Sequence, residues 1–131
     1  MSCVLDADVV IAHIDDRDAH HRAARRALAG LSDEALLISM VNYAEVLVQP
    51  SEGEETLAIA LKAIARLDLE LVAPTPAIAR DAARFRAYGI SLPDCFALAT
   101  ARARGATVAT FDRDVRRAVR RAGVKLAPGV R

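Results

Sequence analysis

Short apolar runs alternate along this chain with longer stretches in which apolar positions return every three or four residues. The first pattern fits buried strands, and the second fits helices with one face turned inward. Candidate strands are 2–5, 36–39, 69–73, 107–110 and 124–127. Between them, Leu57, Ala60, Leu61, Ile64 and Leu67 recur at helical spacing, as do Val115, Ala118, Val119 and Ala122 over a last helix running to 122. Strand and helix alternating from end to end predict β-α-β units and a parallel sheet covered on both faces.

Punctuation supports the same division. Gly30, Gly89, Gly105 and Gly123 follow four proposed helices, where a left-handed residue can close the last turn. Ser51 with Glu54 and Ser91 with Asp94 have capping-box spacing, and Thr75 before Pro76 places a cap ahead of a first-turn proline.

The 131 residues fit one domain, 1–131, large enough to hide about two-thirds of its unfolded surface. A 53% hydrophobic content with 4% aromatics predicts a core of aliphatic and small side chains rather than disorder. The start is not that of a secretory signal, and the apolar run near 35–48 is interrupted by Asn42 and Glu45. The expectation is a soluble, cytoplasmic protein without membrane association. Cys3 and Cys95 stand far apart and outside any Cys-x-x-Cys spacing, which indicates neither a disulfide framework nor a zinc site.

The net charge of +1 is unevenly placed, −6 over residues 1–94 and +7 over 95–131. That polarity suits a metal at one place and phosphates at another. An arginine-rich composition is an equally simple account.

Four carboxylates carry the chemistry. In an open α/β sheet the ligand crevice lies outside the carboxyl ends of the strands. Asp6 and Asp8 follow the first proposed strand, Glu45 lies in the helix leaving the second, and Asp112 follows strand 107–110. Asp94 opens the helix leading into that last strand. Each Asp has a plain structural reading, because Asp6 or Asp8, Asp94 and Asp112 all sit where a helix cap belongs. Glu45 resists it. Its segment, 40–48, is largely apolar, so the carboxylate needs either a buried arginine or a shared cation.

Electrostatics favours the cation. Two carboxylates 5 to 6 Å apart repel by roughly 3 kcal/mol at an effective dielectric of 20. Several such pairs rival a whole domain's stability of roughly 5–15 kcal/mol. All-oxygen ligands without His or Cys select Mg²⁺, with Mn²⁺ as the natural substitute, over Zn²⁺.

Motifs in this order are similar to those of PIN-domain nucleases: Val4-Leu5-Asp6-Ala7-Asp8-Val9-Val10, then Ser39 through Glu45, then Leu92-Pro93-Asp94-Cys95-Phe96-Ala97-Leu98-Ala99, then Thr110-Phe111-Asp112. The nearest resemblance is to VapC-type toxins of bacterial toxin–antitoxin pairs, and it spans essentially the whole chain. It implies a Rossmann-like α/β/α sandwich with a central parallel sheet of about five short strands. It further implies Mg²⁺-dependent endoribonuclease activity on an RNA substrate, a VapB-type antitoxin partner and a homodimer. Asp6, Glu45, Asp94 and Asp112 match the acidic quartet of the family, as catalytic and metal-holding residues. Thr110 matches a small hydroxyl position two residues before the last acid. Asp8 stands where the family usually has Ser or Thr, and it joins the metal set in second place. A carboxylate-held Mg²⁺ would activate water and neutralise charge at phosphorus, leaving 5′-phosphate and 3′-hydroxyl ends.

Other candidates stay open. Arg113, Arg116, Arg117, Arg120 and Arg121 line the polar side of the last helix, either to grip an RNA backbone or as a solvated face. Arg102 and Arg104 are similar. His13, His20 and His21 read as solvated helix residues, since adjacent histidines point about 100° apart on a helix and share no face. Asp6-Ala7-Asp8-Val9-Val10 also fits the nucleophile motif of haloacid-dehalogenase-like phosphatases, although Lys62 and Lys125 are poorly placed for the lysine that chemistry uses. A PIN-like module that binds RNA or a partner without cutting is the third reading.

Overall fold

The computed structural model describes residues 1–129. Its elements run β1 Ser2–Leu5, α1 Ala7–Ile14, α2 His21–Gly30, β2 Ala35–Ser39, α3 Met40–Val48, α4 Glu54–Ala65, β3 Glu70–Val72, α5 Pro76–Phe85, α6 Leu92–Arg104, β4 Thr107–Ala109 and α7 Arg113–Ala118. Short 3-10 turns, Pro50–Glu52 and Arg86–Tyr88, precede α4 and follow α5.

All strand pairs are parallel and the sheet order is β3-β2-β1-β4. The chain builds outward from β1 through β2 to β3, then returns to the other side of β1 with β4. This reversal opens a crevice between the carboxyl ends of β1 and β4.

Period-two alternation divides the core between the two faces. Val4, Leu37, Val72 and Val108 pack beneath α5, α6 and α7 with Ile78, Phe85, Leu98 and Val115. Cys3, Leu5, Ile38 and Ala109 face the opposite layer with Val9, Val10, Leu28, Val46 and Ile64. The result is the expected α/β/α sandwich. Both cysteines are buried and free. Among the described residues, no helix is long and apolar enough to cross a membrane.

Four points differ from the sequence expectation. The sheet has four strands rather than about five. Segment 124–127 contributes one parallel bridge, Leu126 to Val108, flanked by Val108 N–H to Lys125 O and Ala127 N–H to Val108 O. Pro128 follows and has no N–H to extend a ladder. Gly30 is the last helical residue of α2 and lies outside the left-handed region, whereas Gly89, Gly105 and Gly123 adopt it at φ 80°, 61° and 76°. Gly53, not Ser51, precedes α4 as its cap residue, and the Thr56 hydroxyl turns back to the Pro50 and Gly53 carbonyls. The last helix ends at Ala118, with turns carrying 119–123. The other caps stand, with Thr75 accepting from Ile78 N–H and Ser91 from Asp94 N–H.

Candidate active site

Asp6 is the first residue beyond β1 and only 2% exposed. It caps α1, its Oδ1 accepting from Ala7 N–H at 2.9 Å, while its Oδ2 accepts from the Thr110 hydroxyl at 2.8 Å across the crevice. Its own N–H bonds Ala109 O, which ties the end of β1 to the end of β4. Burial first, then the charges of Asp8 and Asp94, hold this carboxyl well above the usual carboxylate range.

Asp8 lies in the first turn of α1. Its Oδ2 accepts from Phe111 N–H at 3.0 Å, and its Oδ1 is buried with no hydrogen-bond partner. Burial is the main reason that Asp8 is pushed up to about 6, with the charges of Asp112 and Asp94 adding to it.

Thr110 is completely buried and is more than an ordinary strand-end residue. Its hydroxyl donates to Asp6 and accepts from Asp112 N–H at 3.1 Å, so one side chain joins two acids. Asp112 is exposed and caps α7, accepting from Asp114 and Val115 N–H. Both bonds fall on Oδ1, so capping occupies one oxygen of this carboxylate. The plain structural reading of Asp6 and Asp112 is therefore correct, and it coexists with their places at the crevice. Phe111 between them stacks on His20, ring centroids 4.8 Å apart and 13° from parallel.

Asp94 opens α6 from the other side. Burial raises its carboxyl, the Ser91 hydroxyl opposes that rise, and the charges of Asp112 and Asp114 reinforce it. Glu45, on α3, is raised by burial and by Asp94 against the pull of Asn42. Asp94 is thus the hub: its charge reaches Asp6, Asp8 and Glu45. The charge of Asp112 in turn acts on Asp8 and Asp94.

Glu45 has an amide partner rather than the arginine that was the alternative. Asn42 Nδ2 donates to Glu45 Oε1 at 2.8 Å and to Pro93 O at 3.0 Å, fastening α3 to the start of α6. Asn42 is fully buried and was missed in the sequence. Its spacing of three residues before Glu45 was the available signal. Asp114, whose charge acts on Asp94, was missed likewise.

The arginines divide. Arg116 reaches the Thr110 carbonyl at 3.3 Å. Arg117 pairs with Asp114, and Arg121 lies over the Tyr88 ring. Arg113 and Arg120 are exposed. Arg102 and Arg104 turn away, pairing with Asp81 and Glu70 near the far end of α6. The histidines are less solvated than expected. His21 Nδ1 contacts the Ala12 carbonyl at 2.7 Å, and His13 Nδ1 is buried without a partner.

Among the described residues, no three His, Cys, Asp or Glu side chains already stand close enough to close on a metal ion. The donor set nonetheless fits a hard cation. Every candidate ligand is a carboxylate oxygen, four of the carboxyls are raised by burial and by one another, and Asp8 Oδ1 is a buried acceptor without a donor. A divalent ion would relieve all three conditions.

A four-stranded parallel sandwich with acids at its topological switch point defines a class of small α/β domains built around a carboxylate crevice. Residues 3–121 match the PIN domain family, and the chain belongs to it. No curated protein matches the sequence. Solved structures with the same fold include VapBC2 from Rickettsia felis bound to a promoter DNA fragment, with a TM-score of 0.75 and 18% identity over 97% of this chain and 98% of that one. VapBC from Salmonella typhimurium bound to DNA gives 0.74 and 21% over 97% of each chain. VapC20 from Mycobacterium tuberculosis, a toxin that cleaves the sarcin–ricin loop, gives 0.70 and 18% over 86% of this chain and 92% of that one.

Proposed function

We propose that this PIN domain is a divalent-metal-dependent endoribonuclease acting as the toxin of a VapBC-type pair. The observation that carries the reading is the convergence of Asp94's charge on Asp6, Asp8 and Glu45, with Asp112 joined to Asp6 through the Thr110 hydroxyl, at the ends of β1 and β4. Asp6, Asp94 and Asp112 would hold Mg²⁺ or Mn²⁺ with Glu45, and Asp8 would stand beside them. When bound, the ion supplies charge neutralisation at a phosphate and a lowered pKa for water. Thr110 keeps Asp6 and Asp112 in register, and Asn42 keeps Glu45 turned toward Asp94's end of α6. Arg116 and its neighbours on α7 would meet the RNA backbone.

The phosphatase reading has no observation in its favour, because the chain belongs to a different family and Asp8 Oδ2 is engaged by the 110–112 loop. The purified chain should cut structured RNA with Mg²⁺ or Mn²⁺ and stop with chelator. Asp94→Asn should lose cleavage while keeping its circular dichroism. Cleavage undiminished by chelator would overturn the metal mechanism, and full activity of Asp94→Asn would overturn the site.

The antitoxin part of the reading is supported by the neighbours, several of them solved as VapBC or FitAB complexes. It is supported also by a groove of about 640 Å³ that begins at Glu45 and continues past Ile11, Val46, Val48 and Ile59. Val48 and Ile59 are 72% and 63% exposed there. An apolar antitoxin tail laid in this groove would bring a basic side chain to the acids. Co-expression with the product of the adjacent upstream gene should relieve growth arrest and yield a complex, and failure to co-purify would remove the toxin reading alone. A homodimer is part of the same proposal, checked by light scattering.

A further inference from the structure

A second, smaller pocket of about 220 Å³ is lined by Tyr88, Gly89, Asp114, Arg117, Ala118 and Arg121. Its floor is a column of flat groups rising out of the core. Phe85, 3% exposed, stacks on Tyr88 with centroids 5.6 Å apart, and the Arg121 guanidinium lies 4.8 Å from the centroid of the Tyr88 ring. The Tyr88 hydroxyl donates to the Arg121 carbonyl at 3.3 Å, which fixes the phenol under its own cation. Such a stack is preorganised: a core residue sets the angle of the phenol, and the phenol holds an exposed guanidinium over its face.

The pocket is attached to the acids at both walls. Tyr88 and Gly89 lead through Ile90 into Ser91, whose hydroxyl accepts from Asp94 N–H. Asp114, from the other wall, gives its N–H to Asp112 Oδ1 at 2.8 Å and its carboxylate to Arg117 at 3.0 Å. Flat aromatic and guanidinium surfaces are what unstacked bases rest upon, and they accept every base because each has a π-face. Arg117 adds a cation for the neighbouring phosphate.

We infer that the Tyr88–Arg121 stack is a nucleotide subsite, receiving an unpaired base of single-stranded RNA next to the phosphate held at the acid crevice. This deepens the nuclease reading and rests on it for the position of that phosphate. It gives Arg121, in the turns after α7, a stacking task distinct from the backbone contacts proposed for the arginines of α7. Charge alone does not satisfy it. Lysine would keep the cation and lose the plane.

The test is binding of a fluorescein-labelled oligoadenylate RNA, followed by anisotropy, to the full chain carrying Asp94→Asn so that the RNA stays intact. Arg121→Ala should weaken binding by roughly 5- to 150-fold, the range for loss of one base stack. Arg121→Lys should weaken it nearly as much while leaving the salt dependence unchanged, whereas Arg121→Ala lowers the salt slope by about one. Tyr88→Leu, which keeps apolar packing on Phe85, should follow Arg121→Lys. Equal binding by Arg121→Lys and its parent would overturn the stack and leave a simple phosphate contact. Unchanged binding by Arg121→Ala, or none by the parent, would overturn the subsite altogether. Cleavage by the unsubstituted chain is read separately. No cleavage beside Arg121-dependent binding would overturn the nuclease reading and keep the subsite, and cleavage beside Arg121-independent binding would do the reverse.

Discussion

Replacing Asp8 by Asn should stabilise the metal-free protein at neutral pH, although it alters a residue of the candidate site. The folded environment moves this carboxyl from 3.8 to about 6, chiefly by burial. The folded state therefore binds the proton more tightly than the unfolded chain does, and stability falls as pH rises from about 4 to about 6. Above that window the ionised side chain carries a penalty of up to about 3 kcal/mol, lowered toward 1–2 kcal/mol where water reaches the crevice. Asn removes the charge, and its amide oxygen still accepts from Phe111 N–H, the main contact of Asp8. Urea denaturation with chelator present, at half-unit steps from pH 4 to 8, measures the difference. The expected gain of about 1–3 kcal/mol at pH 7.5 should shrink toward zero near pH 4. A variant less stable than its parent at pH 7.5, or a gain that does not change with pH, would refute the burial argument. Added Mg²⁺ should narrow the gap from the other direction, because the ion stabilises the parent through a carboxylate that the variant lacks.

The remaining predictions concern the joints of the site. Asn42→Ala should destabilise the fold by about 1–3 kcal/mol, since it removes the hydrogen bonds from a fully buried amide to the half-buried Pro93 carbonyl and to Glu45, and cleavage should fall beyond what the loss of folded protein explains. Urea midpoints and rates measured on the same samples separate the two effects. Asp8→Ser restores the residue usual in the family and should keep most RNA cleavage, whereas Asp6→Asn should abolish it. Equal inactivation by both, with turnover of small phosphate esters or a phosphoenzyme on Asp6, would return the phosphatase reading.

Much of this arrangement was legible in the sequence because it depends on local order. Asp6 and Asp112 follow strands whose apolar runs are plain, and Thr75, Ser91 and Gly105 mark helix ends by their own chemistry. Glu45 was conspicuous because its helix is otherwise apolar. What escaped depends on contacts between distant segments. Asn42 looks like one more polar residue of α3 until Pro93, 51 positions later, is brought against it. Tyr88 looks like an ordinary aromatic residue until the turns after α7 bring Arg121 over its ring. The missing fifth strand and the short last helix are matters of how far a ladder or a helix propagates, and Pro128, without an N–H, follows the single bridge at Leu126. Charge asymmetry did not distinguish Arg102 and Arg104, held by Asp81 and Glu70, from the arginines of α7 and the turns after it.

The central claim is that these carboxylates direct water, through a divalent ion, at a phosphodiester bond. The chemical ends of the cut RNA test it most directly. Fragments produced with Mg²⁺ should carry 5′-phosphate and 3′-hydroxyl groups, read by mass spectrometry and by direct ligation, and none should form with chelator. Fragments ending in 2′,3′-cyclic phosphate, formed equally well without metal, would mean that the ribose hydroxyl is the nucleophile and would contradict the account.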